Sequence, residues 1–334
     1  MKFILTPALL LFVCICFAQQ PIKNPHYNFF VKNDGSIVEN VDSADYIRFV
    51  FEPNDGSSIY DVDEYYKKGQ LRFTGKTSNI NPLQLVGQAT WFYENGNRKM
   101  VAAYLSNFWH GELTQFFPNG KPYITKKFVF KDGKETRTPD YRKLSDQDSL
   151  IISAYDTSGK AVVENGNGYL LRYNSAFDQI IEQDTIKNGK LDGTVKGKDL
   201  SRKISFTEQY QNGVLVSGTS IDSAGVSTNY TKRFIRPEYP GGVMEMGKFL
   251  GRNIRYPQQA RLLKQHGTVL LKIVIQHNGK LKDVKVINSV VPSIDQEAIR
   301  VVQQMPDWIP GTAYGKPASF VYTLPITFKV EMYY

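Results

Sequence analysis

The chain has 334 residues, 41% hydrophobic and 13% aromatic, which is ample for two globular domains. Its formal charge of +9 comes from 41 Lys and Arg set among 32 Asp and Glu. These charges are scattered, with no basic run and no nucleic-acid fingerprint, so the composition reads as an interleaved solvated surface and excludes nucleic acid as the expected partner.

In chain order, Met1-Lys2 precedes an apolar run from Phe3 to Ala18, broken by Thr6 and Pro7, and then Gln19-Gln20. A basic residue, an apolar core and a small residue before a polar stretch predict a secretory signal peptide over residues 1–18, cleaved after Ala18. Sixteen helical residues span about 24 Å, short of the roughly 30 Å hydrocarbon core. An uncleaved inner-membrane anchor is the alternative, and a lipid-modified Cys14, poorly served by Phe12-Val13 before it, is a third. Both cysteines, Cys14 and Cys16, lie in this segment. The mature chain is therefore expected to hold no disulfide, thiolate metal site or cysteine nucleophile.

Residues 19–218 are rich in Tyr, Phe, Asn-Gly and Asp-Gly and poor in helical stripes. Residues 20–59 predict a leading strand or two. Tyr93-Glu-Asn-Gly96 and Phe117-Pro-Asn-Gly120 stand 24 residues apart, as do Ile186-Lys-Asn-Gly189 and Tyr210-Gln-Asn-Gly213. Gly87 and Gly111 precede the first two turns by the same interval. Matched periods with matched flanks predict stacked antiparallel hairpins, with a polar break near 134–148. Residues 219–235 read as a linker, from the Ser, Thr and Gly between Gly218 and Lys232.

The last segment, 236–334, has a different grammar. Met246, Phe249, Leu250 and Ile254 recur at helical spacing, leaving Glu245, Lys248, Arg252 and Arg255 to solvent. Tyr256-Pro257 ends that helix, and a short helical turn follows around Ala260 and Leu263. From Thr268 to Gln276, Val269, Leu271, Ile273 and Ile275 alternate, as a central strand requires. His277-Asn-Gly-Lys280 predicts a tight hairpin into an antiparallel return over Lys282 to Val290. Ser293 with Gln296 reads as a capping box opening a helix striped by Ile294, Ala298, Val301, Val302 and Met305 and stopped by Pro306. The final strand, Ser319 to Val330, alternates Phe320, Tyr322, Leu324, Ile326, Phe328 and Val330 against Ser319, Val321, Thr323, Pro325, Thr327 and Lys329. Pro325 donates nothing to a ladder, which assigns the strand to a sheet edge or a bulge. The fold class is α+β: helix, hairpin, helix, edge strand, after a mostly antiparallel β region.

Enzyme chemistry is not legible. His26, His110, His266 and His277 are far apart with no partner at metal-ligand spacing. Asn165-Gly-Asn-Gly168 continues as Tyr169-Leu-Leu-Arg172, without the third glycine of a dinucleotide loop, and no Gly-x-Ser-x-Gly or phosphate loop is present. Asp61, Asp63 and Glu64 read as a solvated strand end. No enzyme activity, cofactor, metal or catalytic residue is expected.

Two resemblances follow from these residues. Gly87-Gln-Ala-Thr-Trp-Phe-Tyr93 and Gly111-Glu-Leu-Thr-Gln-Phe-Phe117, with Tyr65-Tyr-Lys-Lys-Gly69 as a first unit, resemble MORN-variant repeats, which carry no shared chemistry. Pro237-Glu-Tyr-Pro-Gly-Gly242, Ile254-Arg-Tyr-Pro257, Gly267-Thr-Val269, the His-Asn-Gly hairpin, Trp308-Ile-Pro-Gly311 and Tyr322-Thr-Leu-Pro-Ile-Thr-Phe328 together resemble the C-terminal domain of TonB-like energy transducers. That resemblance, from about Arg236 to Val330, implies two helices on one face of a three-stranded antiparallel sheet, in the periplasm or cell envelope. It also implies that the last strand, through Val321, Tyr322, Thr323, Leu324, Pro325, Ile326, Thr327 and Phe328, pairs with a TonB-box peptide of a TonB-dependent outer-membrane transporter, in a protein associated with transmembrane transport. A second copy is another possible partner for that edge, as a homodimer. The alternative is a structural or adaptor protein whose β repeats bind a protein or glycan while the C-terminal domain caps or dimerises. Unlike energy transducers, the chain has no long Pro-rich spacer and no histidine in its first apolar segment.

Overall fold

The computed structural model describes residues 25–128 and 149–329. The expected signal peptide 1–18 with Cys14 and Cys16, the break near 134–148, and Val330 lie outside the described residues. The chain divides into two units, Met1–Pro122 and Tyr123–Tyr334.

The first unit is a meander of β1 (Pro25–Val31), β2 (Ile37–Val38), β3 (Tyr46–Phe51), β4 (Tyr60–Tyr66), β5 (Leu71–Ile80), β6 (Leu83–Phe92), β7 (Arg98–Leu105) and β8 (Phe108–Phe116). β1 pairs with β2 and β3, and each strand from β3 to β8 pairs antiparallel with the next. The described part of residues 20–59 thus holds three strands. The 24-residue period has a physical counterpart in the turns. The amides of Tyr66, Tyr93 and Phe117 each donate at 2.9 Å to the carbonyl four residues on, with Gly69, Gly96 and Gly120 in the left-handed region. The hydroxyls of Tyr66 and Tyr93 then donate to the carbonyls of Phe92 and Phe116, at 2.9 and 2.8 Å, tying each turn to the next hairpin. Val50, Val62, Phe73 and Ala89 form the core, with Trp91 tilted against Phe73 at 4.9 Å between centroids. Glu64 is also buried, paired with Arg48 and Arg72, so the expected solvated acidic cluster is split. Strand alternation sends Glu64 inward and Asp61 and Asp63 to the other face.

The second unit opens with β9 (Pro122–Phe128), β10 (Ser149–Tyr155), β11 (Ala161–Glu164), β12 (Asn167–Tyr173), β13 (Ile180–Lys187), β14 (Lys190–Asp199), β15 (Ile204–Gln211), β16 (Val214–Ile221) and β17 (Ser227–Tyr230), each antiparallel to the next. Asn165-Gly166, Asn188-Gly189 and Asn212-Gly213 all have positive φ at both residues, the two-residue hairpin that matches strand twist. Two strand-interior glycines have another reason: a Cβ on Gly197 or Gly218 would lie 2.4 Å from the ring of Phe206 or Tyr230. The aromatic ring lies over the backbone where the glycine leaves room. Residues 219–235, expected as a linker, carry the end of β16, β17 and β18 (Phe234–Ile235).

The C-terminal domain follows as α1 (Gly242–Asn253), α2 (Gln258–Leu262), β19 (Gly267–Ile275), β20 (Leu281–Asn288), α3 (Pro292–Gln303), β21 (Thr312–Ala313), β22 (Lys316–Pro317) and β23 (Phe320–Phe328). β18, β21 and β22 form a small sheet, and the larger one runs β20-β19-β23. Val269, Leu271, Ile273 and Ile275 of β19 are fully buried, as are Ile294, Ala298, Val301 and Val302 of α3, and Tyr239, Met246, Ala260, Met305, Trp308, Leu324, Ile326 and Phe328 complete this core. Period 2 on the strand and 3.6 on the helix give each element one apolar face, and the two faces bury each other.

The capping box at Ser293 is corrected. The cap residue is Val291, with Pro292 in the first turn and no side-chain cap bond. Asp295 instead reaches back, its carboxylate accepting from the amide of Val290 at 3.0 Å and the hydroxyl of Ser289 at 2.5 Å. An acidic side chain in the first turn satisfies the approaching backbone and suits the helix dipole.

The hairpin turn is less permissive than its sequence suggests. Gly279 sits at φ +87°, and its carbonyl accepts from the amide of Trp308 at 2.9 Å. A Cβ there would stand 2.0 Å from the Trp308 carbonyl oxygen. Gly279→Ala is expected to cost at least about 2 kcal/mol, left-handed strain of about 1–2 kcal/mol plus displacement of that loop. Urea denaturation should show a lowered midpoint with unchanged slope.

Candidate functional site

Among the described residues β23 is held on one side only. Its nine residues pair in continuous register with β19, from Gly267 opposite Phe328 to Ile275 opposite Phe320, and among the described residues no strand pairs with its other side. Tyr322, Leu324, Ile326 and Phe328 turn to the core, where the Tyr322 ring meets Trp308 edge-on at 5.3 Å and Phe328 meets Tyr256 at 5.7 Å. Val321, Thr323, Pro325 and Thr327 take the exposed face.

The direction of the backbone groups follows from one hydrogen bond. The Thr268 carbonyl accepts from Asn288 Nδ2 of β20 at 3.3 Å, so it points to β20. Alternate residues of a strand direct their backbone groups to the same side, so Leu270 also faces β20. Its partner across the other ladder is Pro325. Leu270 and Pro325 are thus a non-hydrogen-bonded pair, and Pro325 places its missing N–H on the open edge, where proline costs least. The hydroxyl oxygens of Thr268 and Thr327, 3.0 Å apart, fit the closer approach of such pairs. The open edge therefore offers N–H groups of Val321, Thr323 and Thr327 and carbonyls of Val321, Thr323, Pro325 and Thr327. All eight residues expected from the sequence lie on this strand, four through side chains turned inward and four on the outer face.

Sequence reasoning missed how the domain is seated. Arg233 Nε donates to both carboxylate oxygens of Glu208, at 2.9 and 3.0 Å, and its Nη1 to Glu182 at 3.0 Å. The guanidinium lies 4.6 Å over the Phe206 ring. Glu208 has no exposed side-chain surface and accepts also from the Tyr230 hydroxyl at 2.8 Å. Tyr314, from the loop between β21 and β22, stacks on Phe206 at 4.9 Å and accepts at its carbonyl from Ser220 Oγ at 2.8 Å. Lys316 donates to Asp222 at 2.5 Å and to the Val226 carbonyl at 3.1 Å. The C-terminal domain is thus fastened to β15–β17. Burial opposes the charge on Arg233, but its bonds to Glu208 and the charge of Glu182 outweigh it and hold the pKa above the ordinary value. Burial pushes Tyr314 up to about 12. A groove of about 520 Å³ opens beside the start of β23, lined by Arg202, Asp222, His277, Lys316 and Ser319, so His277 is both a turn residue and part of this wall. Among the described residues no group of three or more His, Cys, Asp or Glu could hold a metal ion.

Residues 252–330 match the family model described as Gram-negative bacterial TonB protein C-terminal. Two NMR solution structures of the Helicobacter pylori TonB-CTD are similar to this chain. One, of residues 179–285, is 19% identical over 27% of this chain and 81% of that one, with a TM-score of 0.22. The other, of residues 194–285, is 18% identical over 27% and 95%, also with a TM-score of 0.22. At that score neither likeness carries an argument. No curated protein matches the chain. Over residues 252–330 the chain carries a TonB C-terminal family domain.

Proposed function

We propose that this is an envelope protein, acting in the periplasm in association with transmembrane transport, whose β23 edge pairs with an extended TonB-box-like peptide of a TonB-dependent outer-membrane transporter. The observation that supports it is the run of outward N–H and carbonyl groups on β23 within a TonB-type domain. Strand addition draws affinity from such main-chain groups and specificity from alternate side chains. Net gains of about 0.5–1.5 kcal/mol per bond, set against an association cost of roughly 4–15 kcal/mol, make pairing alone weak and reversible, as a docking contact requires. A second copy's β23 would compete for the same edge.

The test is fluorescence anisotropy of labelled transporter plug peptides titrated with the full chain. Thr323→Pro removes one outward N–H and leaves the β19 ladder intact. It should weaken binding by about 2- to 12-fold, the equivalent of one backbone hydrogen bond, with the melting temperature unchanged. No binding by the wild-type chain, or an unchanged affinity in the variant, would reject the reading.

One observation favours a second reading. The fastening through Arg233 and Tyr314 suits a structural or adaptor protein in which the MORN-variant-like repeats bind and the C-terminal domain caps the sheet. We propose no catalysis and no cofactor for either reading.

A further inference from the structure

The first unit carries a groove of about 630 Å³ on the sheet face opposite Val62 and Glu64, within the size range of small-molecule sites. It is built across five strands by register. Asp63 stands opposite Thr74, Thr74 opposite Thr90, and Thr90 opposite Val101. Beside that row Asp61 stands opposite Lys76, with Nζ 3.0 Å from the carboxylate. Gln88 on β6 and Arg98 on β7 line the far side, the Arg98 guanidinium 4.7 Å over the Phe116 ring. Phe51 closes the β3 end.

The balance of this lining selects a ligand class. Two carboxylates against two cations give no net charge, so neither a polyanion nor a polycation is favoured. What remains is a dense set of hydrogen-bonding groups of both senses: carboxylate oxygens, threonine hydroxyls, a carboxamide and ammonium or guanidinium donors. Asp63 is half-buried, and burial raises its pKa against the bond from Thr74. A half-buried carboxylate gains from further hydroxyl donors. Apolar Phe51 and Val101 flank these groups and suit the C–H face of a ring. A neutral molecule crowded with hydroxyls and carrying apolar ring faces answers all of these demands.

We propose that this groove is a binding site for a neutral oligosaccharide, with Asp63, Thr74 and Gln88 hydrogen-bonding its hydroxyls and Phe51 packing on a sugar ring. The site is independent of β23 and of the transporter reading.

The test is isothermal calorimetry on the full chain with neutral trisaccharides of glucose, mannose and N-acetylglucosamine, alongside a sulfated heparin trisaccharide. At least one neutral sugar should bind, the sulfated one should not, and Asp63→Ala and Gln88→Leu should each weaken binding at least tenfold. Gln88 is exposed, so Gln88→Leu reads the site without the fold, and circular dichroism checks Asp63→Ala. Absence of binding by every neutral sugar, binding of the sulfated sugar alone, or affinities unmoved in Gln88→Leu would overturn the assignment.

Discussion

Arg233→Ala is expected to destabilise the second unit by about 3–5 kcal/mol, the usual cost of removing one partner of a buried ion pair. The reason is what stays behind. Glu208, with no exposed side-chain surface, would keep its charge with the Tyr230 and Tyr210 hydroxyls but no cation to answer it. The Phe206 and Tyr314 rings, which stack at 4.9 Å under that guanidinium, would lose the cation above them. Denaturation followed by circular dichroism should show the loss, and limited proteolysis should open the chain around residues 231–236. A double change, Arg233→Met with Glu208→Leu, removes both charges and should recover most of the stability, since well-packed apolar replacements of buried pairs are often neutral or better. A loss below about 1 kcal/mol in Arg233→Ala would mean that the pair is solvated and that the seating rests on Tyr314 and Lys316.

The second large effect is expected at Asp184. Its Oδ2 accepts from Arg172 Nε at 2.6 Å, while its buried Oδ1 has no hydrogen-bond partner among the described residues. Burial, reinforced by the charge of Glu182 and opposed by Arg172, pushes its pKa up to about 7, well above the ordinary aspartate range. The sign follows from proton counting. Below about pH 4 folded and unfolded chains both hold the proton, so this group adds no dependence. Between about pH 4 and 7 only the folded chain holds it, so stability falls by about 1.4 kcal/mol per pH unit. Above pH 7 both have lost it and the slope ends. The full cost at pH 8 is thus about 4 kcal/mol. Asp184→Asn cannot ionise, so unfolding titrations from pH 4 to 8 should show this slope in the wild type and not in the variant. Parallel profiles would show the carboxylate ionised throughout. Because Glu182 touches both Arg172 and Arg233, the Asp184 and Arg233 changes are expected to be non-additive.

How much of this the sequence showed depends on whether a contact leaves a period behind. The alternation Val269, Leu271, Ile273, Ile275 and the stripe Ile294, Ala298, Val301, Val302 are regular because each element buries one face, and every one of those residues is fully buried. The edge strand was legible for the same reason, and Pro325 gave its side. The seating of the domain was not legible. Ser220 meets Tyr314 across 94 residues of sequence, and nothing periodic marks either one. Composition did not show this, because the small residues that suggested a linker lie partly in strands and serve close contacts. Gly218 makes room for the Tyr230 ring, and Ser220 bonds to the Tyr314 carbonyl. The cap of α3 escaped for a similar reason: Asp295 acts backward on Ser289 and Val290, a geometry that the forward Ser-x-x-Gln pattern does not contain.

The proline in β23 also acts as an index mark. A guest strand laid along this rim meets donors at Val321, Thr323 and Thr327, and at Pro325 a gap where one of its carbonyls finds nothing to accept from. Sliding the guest by two residues moves that orphan to a different carbonyl, and the guest will settle where the orphan stays wet. If a peptide docks here as proposed, that single absent hydrogen would favour one alignment of the two chains over its neighbours.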